Sequence, residues 1–298
     1  MSNRYTSIFR PGLFADQVIL ITGGGTGLGR CTAHELASLG ATVVIAGRRQ
    51  EVLEATAEEV TDAGGICDTL LMNIRDEEIV ETAMDALLAR HGRIDGLFNN
   101  AGGQFVAPLA DMSANGWRSV VDLNLNGTFL VSHAAYRHYM REHGGAIVNM
   151  LADIRTGYPG MAHMAAARAG IENLTKTMTL EWASADVRVN CVAPGMIMSS
   201  GMLTYPPQVQ EVSAKNIKAS PSGRPGTESE VSAAVTFLLS PAAAYIRGAT
   251  LCVDGGESFQ KQRLLEFAHP SGTRAYDGFH LSTDFSDTPL ADVAPKPR

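Results

Sequence analysis

An α/β fold, a single doubly wound sheet of seven parallel strands with helices on both faces, is predicted by three observations. Seven short apolar runs recur between Val18 and Val253, longer amphipathic stretches alternate with them, and a glycine-rich turn joins the first run to the first stretch. Strands buried on both faces read as continuous apolar runs, and right-handed crossovers cover both faces of the sheet with helices. The chain has 298 residues, 45% of them hydrophobic, which suffices for one large core.

The elements follow in order. Strand Val18–Ile21 leads through the glycine turn to helix Gly29–Leu39, which Gly40 ends. Strand Thr42–Ala46 precedes helix Arg49–Ala63, closed by Gly64-Gly65. Strand Cys67–Leu71, helix Glu77–His91 and strand Gly96–Asn99 come next, then a long helix Trp117–Arg141 before strand Ala146–Met150. Helix Ala162–Ala183 and strand Arg188–Val192 follow. The capping box Thr227-x-x-Glu230 opens helix Glu228–Leu239, Ser240-Pro241 stops it, and strand Thr250–Val253 completes the sheet. No linker or repeat divides residues 1–256, which are expected to form one domain.

Two regions break the alternation. Residues 199–226 contain Tyr205-Pro-Pro207 and Pro221 with little periodicity, and they follow a strand's C-terminal end, where open α/β sheets carry substrate loops. A substrate lid is expected there. Residues 257–298 form a C-terminal extension, polar and turn-rich from Gln260, which fits an arm wrapping a neighbour or a disordered end.

Composition excludes several partners. A formal charge of −7 argues against nucleic acid and against a polybasic membrane contact. No apolar stretch approaches the roughly 18 residues of a spanning helix. Met1 to Arg10 lacks the apolar core of a signal peptide, so a cytoplasmic location is expected. Cys31, Cys67, Cys191 and Cys252 lie far apart, as buried thiols of a reducing compartment do, and no Cys/His spacing suits a metal.

The turn Thr22-Gly-Gly-Gly-Thr-Gly-Leu-Gly29 reads as a dinucleotide site. Gly23 permits the sharp exit from the strand, Gly27 lets the backbone approach a pyrophosphate, and Gly29 allows close helix–strand packing. The helix N-terminus adds free N–H groups and a positive dipole end. Thr22, Gly23, Thr26, Gly27 and Leu28 are therefore the expected contacts. At the end of the second strand, where an NAD site usually has an acid for the ribose, stand Arg48 and Arg49. A guanidinium there can hold a 2′-phosphate, so NADP(H) is favoured over NAD(H).

With Asn99-Asn-Ala-Gly102 closing the fourth strand, the chain resembles the short-chain dehydrogenase/reductase family, a Rossmann-type fold, over about Phe14 to Gly256. Further motifs are Asn124-Leu-Asn-Gly, Arg188-Val-Asn-Cys-Val-Ala-Pro-Gly195 and Val253-Asp-Gly-Gly256. The resemblance implies that Asn100, Ala101 and Gly102 run beside the adenosine ribose. It implies that Pro194, Gly195 and Ile197 line the nicotinamide and that Ser199 faces the diphosphate. Asn73 stands where the family often has an aspartate against adenine. The family usually forms homotetramers through the helices equivalent to Trp117–Arg141 and Ala162–Ala183. Within the family, His163-Met-Ala-Ala-Ala-Arg-Ala-Gly170 is similar to the peroxisomal trans-2-enoyl-CoA reductases. Ser7–Phe14, Gly144–Asp153 and Asp277-Gly-Phe-His280 resemble bacterial citronellol/citronellal dehydrogenases of acyclic terpene breakdown.

Most family members carry a catalytic tyrosine, a lysine four residues later that binds the nicotinamide ribose, and a serine at the preceding strand's end. Those positions here read Met164, Arg168 and Leu151 or Ala152. Methionine has no proton to give, whereas Arg168 can bond a ribose and favour a developing oxyanion. Asp153, Tyr158 and His163 are the candidate acid/base groups, and Asn124 keeps its family position. Conjugate reduction suits this set better than alcohol oxidation, because an enolate needs only donors or a cation. The expected function is an NADP(H)-dependent oxidoreductase of an apolar branched acyclic substrate, a terpenoid alcohol or aldehyde or an enoyl-CoA. Met196, Met198, Met202 and Leu203 offer it an adaptable apolar wall. The alternative is a catalytically silent dinucleotide-binding protein.

Overall fold

Ile19 and Ile21 enter one apolar layer while Val18 and Leu20 enter another, as the two-residue period of a strand between two helical layers requires. The computed structural model describes residues 4–259 and 273–295. Its main sheet holds β1 (Val18–Thr22), β2 (Thr42–Gly47), β3 (Ile66–Leu71), β4 (Gly96–Asn99), β5 (Gly145–Met150) and β6 (Val187–Pro194). After β7 (Ile197–Met198) and β8 (Gly226–Thr227), which pair with each other, β9 (Thr250–Val253) completes it. The order is β3-β2-β1-β4-β5-β6-β9, parallel throughout. Each predicted strand is present within two residues of its expected ends.

One face is covered by α1 (Gly27–Ser38), α2 (Gln50–Asp62) and, later in the chain, α9 (Glu228–Leu239), which supply Leu36, Leu53, Val60, Val231 and Val235. The other is covered by α3 (Glu77–His91), α5 (Gly127–Ala135) and α7 (Ala162–Glu181), which supply Val80, Met84, Val131 and Met178. The expected capping box opens α9, with Thr227 and Glu230 each bonded to the other's backbone N–H. At its far end the buried Arg188 guanidinium donates to the carbonyls of Leu238, Leu239, Ser240 and Ala243, groups a helix end leaves unpaired.

The long helix predicted as Trp117–Arg141 is interrupted. It begins as α4 (Ala114–Val121), because Ser113 caps it by accepting the Gly116 N–H. Wider π turns at Asp122–Asn126 and Tyr136–Met140 separate α4 from α5 and α5 from α6 (Arg141–His143). In the first of these turns Asn124 Nδ2 donates to the Val120 carbonyl four residues back and to the Gly103 carbonyl, both at 2.8 Å. The side chain takes a carbonyl the helix would otherwise use, and the turn widens there.

The stretch expected as an irregular lid contains a helix, α8 (Pro207–Ala219). Pro207 suits its first position, where no N–H is needed. Its buried face is Gln210, Ser213 and Ile217, a helical spacing that is mostly polar and so escapes a reading by hydrophobicity. The described part of the tail lies on its own chain. Phe285, Leu290 and Val293 pack with Met198, Met202 and Ile217, and Phe279 packs with Tyr5 and Cys31. Residues 260–272 and 296–298 of the predicted extension lie outside the described residues. No described helix is long and apolar enough to cross a membrane.

Candidate active site

The strand order reverses at β1, where the chain leads to β2 on one side and β4 on the other, and a cleft of about 370 Å³ opens there. Gly23 leaves β1 with φ 65° and donates its N–H to the Ala46 carbonyl at 2.7 Å. A Cβ on Gly29 would lie 2.3 Å from the Gly23 carbonyl oxygen and 2.6 Å from Asn100 Nδ2, so the turn closes only with glycine. Thr26 precedes α1 in an extended conformation with its hydroxyl unused as a cap, and the helix has no acid in its first turn. Free N–H groups at a positive helix end beside a side-chain hydroxyl fit the diphosphate of a dinucleotide.

The cleft brings together Gly23, Thr26, Gly27 and Leu28 of the turn with Arg48, Arg49, Asn73, Asn100, Ala101, Gly102 and Ser199. No carboxylate lines it. Arg48 and Arg49 are exposed, and among the described residues neither guanidinium has a hydrogen bond or ion pair. Residues not foreseen on the wall include Val52, Leu53 and Met72, a slot for an apolar ring beside the arginines. Val52 and Leu53 come from the first turn of α2 and Met72 from just after β3, apolar positions that hydrophobicity alone does not separate from core.

Other expected contacts stand behind the wall. Thr22 is a strut: its hydroxyl accepts the N–H groups of Asn100 and Ala101 at 3.1 and 3.0 Å, and Asn100 Nδ2 returns bonds to the carbonyls of Thr22 and Gly23. Pro194 is buried at the end of β6, and Ile197 is buried in β7, paired with Gly226. Gly195 is hemmed in, since a Cβ there would lie 2.7 Å from Glu257 Oε2 and 2.9 Å from the Asp254 Cα. Glu257, which the sequence did not single out, accepts the Met196 N–H at 3.0 Å and fixes this turn. Burial pushes its carboxyl above the usual range.

Around Gly102 the side chains converge. A Cβ on Gly102 would lie 2.4 Å from the Arg168 guanidinium and 2.6 Å from Asn124 Oδ1. Arg168 is 6% exposed and donates to the Met150 carbonyl at the end of β5. Among the described residues no carboxylate pairs with it. Burial lowers it to about 10, so it remains a cation at neutral pH. A buried charge without a counter-ion is costly, and the Met150 carbonyl compensates this one only in part.

The acid/base candidates are set apart from one another. His163 is fully buried at the start of α7, and its Nδ1 accepts the Met164 N–H at 2.7 Å. The proton of the neutral ring is then on Nε2, which has no described partner, while Phe105 stands edge-on at 4.5 Å. Burial lowers its pKa, which keeps the ring neutral. Asp153 is half-buried, and its carboxylate accepts the Arg155 N–H at 3.4 Å within a local turn. Tyr158 packs with Val120, Met161, Met164 and Tyr205, and burial, reinforced by Glu257, raises its phenol. Gln104 donates to the Tyr205 hydroxyl at 2.7 Å and ties residues 199–226 to the loop after β4.

Residues 23–258 match the family described as Enoyl-(Acyl carrier protein) reductase. The chain is 37% identical over 244 residues to a probable 2,4-dienoyl-CoA reductase of Bacillus subtilis (strain 168), covering 81% of this chain and 96% of that protein. It is 37% identical over 258 residues to the peroxisomal 2,4-dienoyl-CoA reductase of Danio rerio, covering 85% of each. Among solved structures, the citronellol catabolism dehydrogenase (AtuB) of Pseudomonas aeruginosa PAO1 is similar with a TM-score of 0.76 and 50% identity, covering 85% of this chain and 100% of that one.

Proposed function

The chain belongs to the short-chain dehydrogenase/reductase family and is an NAD(P)-dependent oxidoreductase, and from that premise we propose that it uses NADP(H) for conjugate reduction of an apolar, branched acyclic enoyl or dienoyl thioester. The observation that carries the proposal is the buried Arg168 beside Gly102, with no carboxylate partner among the described residues and with Met164, which has no proton to give, one turn earlier on α7. The cofactor, when bound, supplies a hydride to the conjugated carbon chain. Arg168 holds the nicotinamide ribose and offers its charge to the thioester oxygen, which becomes an enolate oxygen as the conjugated bond is reduced. Asn124 serves as a positioning residue by fixing Gly103 and the π turn. Solvent delivers the carbon-bound proton, so no phenol is required. Arg48 and Arg49 take the 2′-phosphate, with no carboxylate on the wall to oppose it. Residues 199–226 act as the substrate lid; Met202 within it and Met198 just before it pack against Ile217 and the tail residues Phe285, Leu290 and Val293, so they anchor the lid and do not form the expected apolar wall. We place Trp117, Phe129 and Leu180, exposed apolar residues of α4, α5 and α7, at the homotetramer contact.

A second reading, oxidation of a terpenoid alcohol, is favoured by the citronellol enzyme at 50% identity and would assign Tyr158 or Asp153 as the base. Absorbance of the reduced cofactor tests both. NADPH consumption with crotonyl-CoA or a 2,4-dienoyl-CoA is the expected result. NADP reduction by citronellol without thioester turnover would replace this reading with the second. No turnover with any of them would leave a silent dinucleotide-binding protein.

A further inference from the structure

Glu228 stands directly behind the phosphate turn. It opens α9, is 4% exposed, and its Oε1 lies 3.9 Å from where a Cβ on Gly27 would be. Oε1 is shielded from solvent and has no hydrogen-bond partner among the described residues. The Ser200 backbone N–H faces the same carboxyl. Gly27 and Ser200 both line the cleft, so one layer of the wall separates this carboxyl from the space a diphosphate would fill.

Its charged surroundings come from three elements. From α1, Arg30 favours the carboxylate, but it is engaged by Glu59 through two bonds of 2.7 and 2.8 Å. Also from α1, the buried Cys31 thiol is pushed up, with Glu228 and Glu35 among the causes. From the tail, Asp277 opposes ionisation and is itself held by the Ser229 hydroxyl at 3.3 Å. The positive end of α9 favours the carboxylate. Burial outweighs the favourable groups and raises Glu228 to about 7. Near neutral pH the residue therefore exists in two forms that put different charges behind the same wall.

We propose that Glu228 is a proton-linked determinant of cofactor affinity: the neutral carboxyl admits the anionic diphosphate, the carboxylate opposes it, and binding takes up a proton from solvent. The inference rests on the cleft being the dinucleotide site. It concerns affinity and not the chemical step, because the carboxyl lies at the phosphate turn and Arg168 lies beyond Gly102.

Dissociation constants of NADH and NADPH, followed by dihydronicotinamide fluorescence between about pH 5.5 and about pH 8.5, test it. NADH lacks the titrating 2′-phosphate, so its profile isolates the carboxyl. For the wild-type protein, NADH affinity is expected to weaken roughly tenfold across this range, and Glu228→Gln is expected to bind tightly with a flat profile. Calorimetry in two buffers of different ionisation heat should show proton uptake by the wild-type protein and none by the variant. A flat wild-type profile, absence of proton uptake, or a Glu228→Gln profile that keeps the wild-type slope would overturn the proposal. If Glu228→Gln does not fold, the wild-type uptake decides alone. Absence of binding at every pH would overturn both the cleft assignment and the proposal, whereas binding without pH dependence overturns only the latter.

Discussion

The two halves of the crevice are built from different materials. The half we assign to the phosphates, called the phosphate half below, is mostly backbone: Gly23 and Gly29 packed too closely for any side chain, Thr22 and Asn100 tying strand ends together, and open N–H groups at α1. The half we assign to nicotinamide and substrate, called the substrate half below, is mostly side chain: a buried guanidinium, a fully buried histidine, a methionine and a half-buried tyrosine. Backbone can recognise an anion shared by many enzymes but sets no reaction. Side chains set the reaction, and they can change while the phosphate half stays intact. In this chain a buried methionine, Met164, and a buried arginine, Arg168, stand on one helix behind a glycine turn.

Breaking the substrate half at Arg168 should give the largest effect. Arg168→Met is expected to lower kcat about 10²- to 10³-fold, the range seen when a preorganised oxyanion donor is removed. Cofactor affinity, measured by fluorescence titration, should change far less, because the phosphate half is untouched. Arg168→Lys should restore part of kcat. Equal losses in kcat and affinity would mean that Arg168 serves only the cofactor, and the contrast between the halves would fail.

A second test strikes the phosphate half through stability. Glu228 is raised from the ordinary 4.5 to about 7 in the folded protein, so folding favours its protonated form. Its contribution is least costly below the unfolded value, becomes more costly as pH rises through this window, and levels off above about 7. Between about pH 5 and about pH 8 the wild-type protein should lose about 2–3 kcal/mol relative to Glu228→Gln, read by urea unfolding. Parallel curves for the two proteins would show that the carboxyl is hydrated and not buried behind Gly27.

The arginines sharpen the comparison further, since here side chains refine a backbone site. Arg48→Ser with Arg49→Ser should weaken NADPH about ten- to hundredfold and leave NADH nearly unchanged. Equal weakening of both nucleotides would assign the pair to the shared diphosphate.

The same contrast explains what was legible in the sequence. The strands and the glycine turn were readable because two-sided burial and positive φ are local demands with few chemical solutions. Asn124 was recognisable by motif, but its grip on the Val120 and Gly103 carbonyls, which widens the helix, was not. Helix α8 stayed hidden because it buries Gln210 and Ser213 against the body of the protein. Glu257 and Glu228 stayed hidden because a carboxylate in a polar segment reads as solvated. Only tertiary packing places one against Gly195 and the other behind Gly27.

Tyr158 gives the smallest expected effect and the most direct discrimination between chemistries. Its phenol is raised by burial and by Glu257, so at neutral pH it is protonated and poorly suited to act as a base. It packs beside Met164 among Val120, Met161 and Tyr205, where removing one oxygen changes little volume. If solvent protonates the substrate carbon and Arg168 carries the oxyanion, Tyr158→Phe should keep kcat on the thioester within about threefold. If Tyr158 is the acid/base group of an alcohol oxidation, the same change should cost about 10²-fold or more, with loss of a titration in the pH–rate profile. The phosphate half is insensitive to this substitution in either case, so unchanged NADPH binding shows that the measurement reports the substrate half alone.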